Sequence, residues 1–176
     1  MIGLQSERLY LAPIKEESLD KMYLWKNDLF LLERLMAQPF FSAQETVKQW
    51  LQRNSTDPNQ VFLGIYLKEN DELIGVSRLM FIDWLHRTTE IGAYIGPEEH
   101  RGKGYGREMF TLIFNYAFEH LNLHKIIFRM LDSDNVYKKL YQDLGAEHEG
   151  VQRQQFWLNG RYEDMCLMGL INKKHR

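Results

Sequence analysis

Seven consecutive residues, Arg101-Gly102-Lys103-Gly104-Tyr105-Gly106-Arg107, carry the clearest chemistry in the chain. Glycines at alternate positions let the main chain curl until successive N–H groups converge, and they leave no side chain in a ligand's way. Arg101, Lys103 and Arg107 add cationic charge. From Met109 onward apolar residues fall at helical spacing, at Met109, Leu112, Ile113, Tyr116 and Ala117. The glycine run therefore sits where a loop becomes a helix N-terminus. The first N–H groups of a helix have no intrahelical partner, and the helix dipole adds partial positive charge there. The product is a cradle for a phosphate or pyrophosphate; a ligand-free strand-to-helix turn is the other reading of the same residues. Spacing excludes two common cradles. A Walker A loop needs Ser or Thr after its Gly-Lys, whereas Lys103 is followed by Gly104, and a Rossmann fingerprint needs glycine where Arg107 stands.

The elements around this run can be read from periodicity. Glu90 to Ile95 alternates, with Ile91, Ala93 and Ile95 on one face and Glu90, Gly92 and Tyr94 on the other, and Gly96-Pro97 ends the strand. Before it come a strand at Arg8–Ile14, a short helix capped by Ser18, and a second helical piece from Leu29 to Met36. A longer helix follows a capping box at Ser42–Glu45. Val61–Leu67 and Leu73–Phe81 read as a hairpin turned at Lys68–Asp71. After the central helix, Ile126–Leu131 reads as a buried strand parallel to the Glu90 strand. A helix from Asn135 to Leu144 stops at Gly145, and a last hairpin, Glu149–Leu158 with Arg161–Leu170, turns at Asn159-Gly160. The order predicts an α+β fold around a mixed sheet.

Length and composition narrow the function classes. A chain of 176 residues predicts a single domain spanning 1–176. The formal net charge of −2 gives no argument for nucleic acid or an anionic membrane as partner. No apolar run approaches the roughly 18 residues a membrane helix needs, and the N-terminus has no signal-peptide pattern. Cys166 is the single cysteine, which suits a reducing cytoplasm and sits in an apolar run that predicts core. His120 and His124 straddle a helix end, and no metal site is expected of them.

The run Arg101-Gly-Lys-Gly104-Tyr-Gly106 resembles the Arg/Gln-x-x-Gly-x-Gly/Ala loop of the GNAT superfamily of N-acetyltransferases, and the element order is similar to theirs from end to end. A second landmark, Leu140-Tyr141-Gln-Asp-Leu144-Gly145-Ala146, looks like the family's Leu-Tyr-x-x-x-Gly-Phe ending. The family's Asn, seven places before the Tyr, falls on Asp134 here, with Asn135 beside it. Within the superfamily the nearest resemblance is to the spermidine and ribosomal-protein N-terminal acetyltransferase branch, through Leu121–Lys125 and Trp157–Asp164.

The resemblance implies a mostly antiparallel sheet with splayed central parallel strands. It implies acetyl-coenzyme A as co-substrate, no metal, and direct transfer to an amine in a ternary complex. The pyrophosphate would lie on Arg101–Arg107, and the backbone of Ala93, Tyr94 and Ile95 with Asn135 would meet the pantetheine. Tyr141 would protonate the departing thiolate, which is feasible because phenols and thiols titrate near each other, at about 10 and about 8.5. Glu90, beside the transfer point, would take the proton of the amine. The early helices would cover the acceptor, placing Trp25, Phe40 and Phe41 on its pocket, joined by Trp84 from the loop before the Glu90 strand. Peptide N-termini, amino sugars and small amines are the expected acceptors. Spermidine is the alternative, disfavoured because Leu29–Gln52 carries only Glu33 and Glu45. A non-catalytic acyl-coenzyme A-binding module is the alternative of another class. A homodimer is common in the family.

Overall fold

Every residue of the strand Leu9–Ala12 (β2) is buried, with Leu9 and Leu11 in one apolar core and Tyr10 and Ala12 in another. A strand buried on both faces belongs to a sheet covered by helices on each side. The computed structural model, which describes residues 3–175, has that layering. In chain order the remaining elements are β1 (Leu4–Gln5), α1 (Leu19–Lys26), α2 (Leu29–Arg34), α3 (Gln44–Thr56), β3 (Val61–Leu67), β4 (Leu73–Asp83) and β5 (Thr88–Ile95). They continue with α4 (Tyr105–Asn115), β6 (Lys125–Leu131), α5 (Asn135–Asp143), β7 (Glu147–Leu158) and β8 (Arg161–Ile171). The sheet has eight strands in the order β1-β2-β3-β4-β5-β6-β8-β7.

The fold is the expected α+β arrangement. Neighbouring strands are antiparallel except β5 and β6, which run parallel because α4 carries the chain back across the sheet between them. Helix α4 buries Met109, Phe110, Ile113 and Phe114 against one face, with β6 contributing Ile126 and Phe128. Helices α1 to α3 bury Met22, Trp25, Leu31 and Val47 against the other face, beside Phe62, Tyr66 and Val76. Alternation in β5 follows the prediction: Ile91 belongs to the α4-side core, whereas Tyr94 packs on the α1–α3 side. Among the described residues no helix is long and apolar enough to cross a membrane.

Three local readings are corrected. The short β1 pairs with β2 and was not foreseen, since two residues carry no periodicity. Ser42 does not cap α3: Ala43 holds that position, and the Ser42 backbone is tied to the Asn27 side chain by two hydrogen bonds, of 2.7 and 3.0 Å. Ser18 lies at the N-cap of α1 but makes no capping bond through its side chain. The hairpin at Asn159-Gly160 is as expected, with φ of 50° and 81°, the left-handed pair that a tight two-residue turn requires.

Gly96, directly after β5, shows how closely the α1 layer sits. A Cβ there would lie 2.1 Å from Cε2 of Trp25, whose indole packs edge-on to Tyr94 with centroids 5.7 Å apart. Gly96→Ala is expected to cost about 1–3 kcal/mol through overpacking, read as a lower denaturant midpoint.

Candidate active site

The site begins where β5 and β6 part. Their parallel pairing covers three residue pairs, Thr88 with Lys125, Thr89 with Ile126 and Glu90 with Ile127, and then stops. Both strands continue, β5 paired outward to β4 as far as Ile95 and β6 outward to β8 as far as Leu131. Between the diverging inner edges lies a cleft of about 810 Å³. Glu90, Ala93 and Tyr94 line it from β5, Arg129 from β6, Asp134, Asn135 and Tyr141 from the α5 region, and Arg34 from α2.

The glycine run forms the N-terminus of α4. Gly102 and Gly104 have φ of 72° and 82°, backbone that side-chain-bearing residues resist, and Gly104 is the N-cap residue. A Cβ at Gly102 or Gly106 would meet nothing within 4 Å, so the concave side of the loop is clear for a ligand. A clamp from the first strands holds this geometry. Nε of Arg8 donates to Glu108 at 2.7 Å, Nη1 donates to the Lys103 carbonyl at 3.0 Å, and the guanidinium lies 4.6 Å from the centre of the Tyr105 ring. Glu108 also accepts from the Ser6 hydroxyl and the Arg8 N–H. Desolvation pushes the Glu108 carboxyl up, but these hydrogen bonds together outweigh it, leaving the group below its ordinary value. A second hollow of about 410 Å³, between Arg107, Lys139 and Asp143, shares Asn135 and Val136 with the main cleft and so connects it with the start of α4.

Within the cleft, Oε1 of Glu90 is 2.9 Å from Nη2 of Arg129. The Tyr141 ring packs against Phe128 at 4.4 Å and edge-on to Phe110 at 5.1 Å between centroids. Burial pushes its phenol well above the ordinary range, with Tyr137 and Asp134 adding to the shift, so the hydroxyl is protonated at neutral pH. Asp134 caps α5, its Oδ1 accepting from the Tyr137 N–H at 3.1 Å, and Oδ2 lies 3.9 Å from Arg34. That carboxylate is engaged by the helix it caps; Asn135 next to it lines the cleft as well.

Several expected residues lie elsewhere. Arg101 turns its guanidinium onto the carbonyls of Ile95 and Gly96 and stacks 5.0 Å from the Phe30 ring centre, so it ties the loop to β5 and does not point into the cradle. The Ile95 carbonyl is thereby taken, and Ile95 does not line the cleft. Trp25 is core, packed on Gly96 and Tyr94. Phe40 and Phe41 are exposed and Trp84 donates to Asn59 at 3.1 Å; none of the three lines the cleft. Among the residues that do reach it and were not anticipated are four with polar or bulky side chains, Arg34, Arg129, Gln155 and Phe156. A charge inside the apolar run Ile126–Leu131 was the available signal for Arg129. The other three depend on tertiary placement. A register shift in β7 between Gln152 and Phe156, with Gln154 at φ 53° and its N–H donating to Asp164, accompanies the last two.

Residues 8–147 match the acetyltransferase (GNAT) domain family, and the chain belongs to it. It is 27% identical over 170 residues to the spermidine N(1)-acetyltransferase of Vibrio cholerae, a match covering 97% of this chain and 96% of that one. The ribosomal-protein-serine acetyltransferase of Escherichia coli is 24% identical over 169 residues, covering 94% of each chain. A crystal structure of the V. cholerae spermidine N-acetyltransferase in complex with CoA and spermine superposes with a TM-score of 0.89 at 25% identity, covering 97% of this chain and 99% of that one. The protein is an N-acetyltransferase that uses acetyl-coenzyme A to acetylate an amine.

Two outcomes test the cradle. Gly104→Val forces a β-branched residue into left-handed backbone and is expected to weaken coenzyme A binding by about 100-fold or more, an estimate from strain and lost backbone contacts of roughly 3 kcal/mol, measured by calorimetry. The clamp has a pH signature. Because the Glu108 carboxyl is depressed in the fold, its stabilisation is complete above the unfolded-state value and is lost as pH falls through the lower folded value. In Glu108→Gln the acid limb of the stability curve is expected to flatten, read from melting temperatures below about pH 5, just above the ordinary glutamate range.

Proposed function

We propose that acetyl transfer is direct, within a ternary complex, with Tyr141 as proton donor to the departing thiolate and Glu90 as the relay that takes a proton from the amine. The observation carrying this reading is that both side chains face one cleft at the fork of β5 and β6. The N–H groups from Gly102 to Arg107 would hold the pyrophosphate. The inner backbone edge at Ala93 and Tyr94, with the Asn135 amide, would hold the pantetheine. When bound, acetyl-coenzyme A supplies an activated acyl group.

The chain's own residues then divide the work. Backbone N–H groups on the free edge of β5 can polarise the acyl oxygen without reorganising, the cheapest form of electrostatic stabilisation. A phenol raised by burial is a reluctant acid, yet a thiolate in the same dry surroundings is a correspondingly stronger base, since desolvation disfavours both anions. An alkyl ammonium, near pKa 10.4, yields its proton to a carboxylate only transiently. Glu90 therefore passes the proton on toward water, and Arg129 fixes its orientation.

The acceptor is a primary amine of a peptide, amino sugar or small molecule. A polyamine acceptor is the second reading, favoured by the whole-chain similarity to the V. cholerae enzyme. Self-association is expected, since a V. cholerae spermidine N-acetyltransferase of TM-score 0.81 to this chain is dodecameric.

Tyr141→Phe is expected to lower kcat by about 100-fold, the usual scale of general acid catalysis, with coenzyme A affinity within twofold of wild type; an undiminished kcat removes Tyr141 from the reaction. Glu90→Gln should lose most activity near neutral pH and progressively less toward about pH 10, where the amine is already free. A pH-independent deficit would contradict the relay.

A further inference from the structure

We infer that the acceptor is an amino-acid-like molecule, bearing a carboxylate near its amine, and that Arg34 and Arg129 receive that carboxylate. This rests on the amine-acetylating reading of the same cleft and narrows it. The ionisable residues lining the cleft with full charge are Arg34, Arg129, Glu90 and Asp134. Their charges cancel, so the cleft has no surplus negative charge for a polycation, which carries a positive charge at every amine and is drawn to an excess of carboxylates.

Burial is unequal within the two ion pairs. Glu90 and Asp134 side chains are 19% and 28% exposed, whereas Arg129 and Arg34 are 47% and 51% exposed. The carboxylates are the enclosed members and the guanidiniums the accessible ones. Asp134 is further occupied by the Tyr137 N–H. The nearest approach of each arginine to its carboxylate is made by Nη2, at 2.9 Å for Arg129 and a loose 3.9 Å for Arg34. A guanidinium has five N–H donors in a planar fork, the geometry that grips a second carboxylate. The rest of the Arg34 guanidinium lies over aromatic faces, 5.6 Å from Phe30 and 6.0 Å from Tyr137, which hold it at the cleft without consuming its donors on a protein anion. An acceptor with one amine and one carboxylate therefore finds a complement for both groups: Glu90 for the amine and the two arginines for the anion. A polyamine finds guanidiniums where it needs carboxylates.

The test uses the protein saturated with coenzyme A and matched ligands that differ only by the carboxylate: alanine with ethylamine, and lysine with 1,5-diaminopentane, with spermidine alongside. Calorimetry is expected to show the carboxylate-bearing member binding at least about tenfold tighter, a difference of 1.4 kcal/mol. Arg34→Gln should bring that preference to about unity, and Arg34→Lys should keep part of it. Arg129→Gln serves as the second variant, with melting curves confirming that each folds. Tighter binding of spermidine or of the decarboxylated partners, no binding by any carboxylate-bearing member, or an equal loss for both members in Arg34→Gln, would overturn the inference. Acetylation of the same ligands reads the chemistry separately. Carboxylate-selective binding with preferred acetylation of the same members upholds the inference. Carboxylate-selective binding without their acetylation, or preferred turnover of spermidine, overturns the acceptor class while leaving the roles proposed for Tyr141 and Glu90 to the variants described above.

Discussion

The structure depends on the point at which two parallel strands cease to pair. A sheet interior normally satisfies every backbone donor and acceptor through its neighbours, and leaving that rule inside a fold is costly. Here β5 and β6 remain joined through Glu90 and Ile127 and then separate, each held in place by its outer neighbour. The diverging inner edges leave a slot lined by backbone, which suits the extended, amide-bearing pantetheine in the binding mode proposed above. The fork also brings together the two side chains proposed to move protons. Glu90 is the last residue of β5 paired with β6, and Tyr141 reaches the gap from the helix that follows β6.

The fork must be kept in register with the cradle, and two arginines do this by contact with backbone. Arg8 ties the loop carbonyl of Lys103 and the α4 carboxylate of Glu108 to the sheet's first strands. Arg101 ties the loop to the carbonyls that end β5. The Arg8–Glu108 pair is not strong alone, because exposed ion pairs contribute at most about 1 kcal/mol. The effect of the two arginines is geometric: they restrict where the α4 N–H groups point relative to the slot, and positioning of that kind governs group transfer.

Much of this arrangement was legible in the residues. The Gly102–Gly106 spacing indicated a tight, glycine-dependent start to a helix, the alternation in β5 assigned its faces, and Asn159-Gly160 marked its turn because only left-handed backbone closes so short a hairpin. What escaped was set by tertiary geometry. Arg101 looked like a cradle cation because its neighbours are glycines, yet carbonyls at the end of β5 claim it. Trp25 looked like a pocket wall because aromatic residues in early helices suit one, yet the absence of a side chain at Gly96 makes room for it in the core. Ser42 matched a capping pattern, and Asn27 outcompeted that local bond from a distant turn. Asp134 and Asn135 could not be told apart by counting positions; the structure adds that Asp134 caps α5 through the Tyr137 N–H.

The register shift in β7 bears on how such an enzyme can change. Gln155 and Phe156 meet the cleft from the outermost strand of the sheet, a strand whose residues are mostly open to solvent. Substitutions there disturb little packing, so the partner molecule that this wall admits can drift while the helix start and the forked strands remain untouched. One wall of the cleft thus belongs to a part of the fold that mutation can revise cheaply, and its floor to parts that mutation cannot.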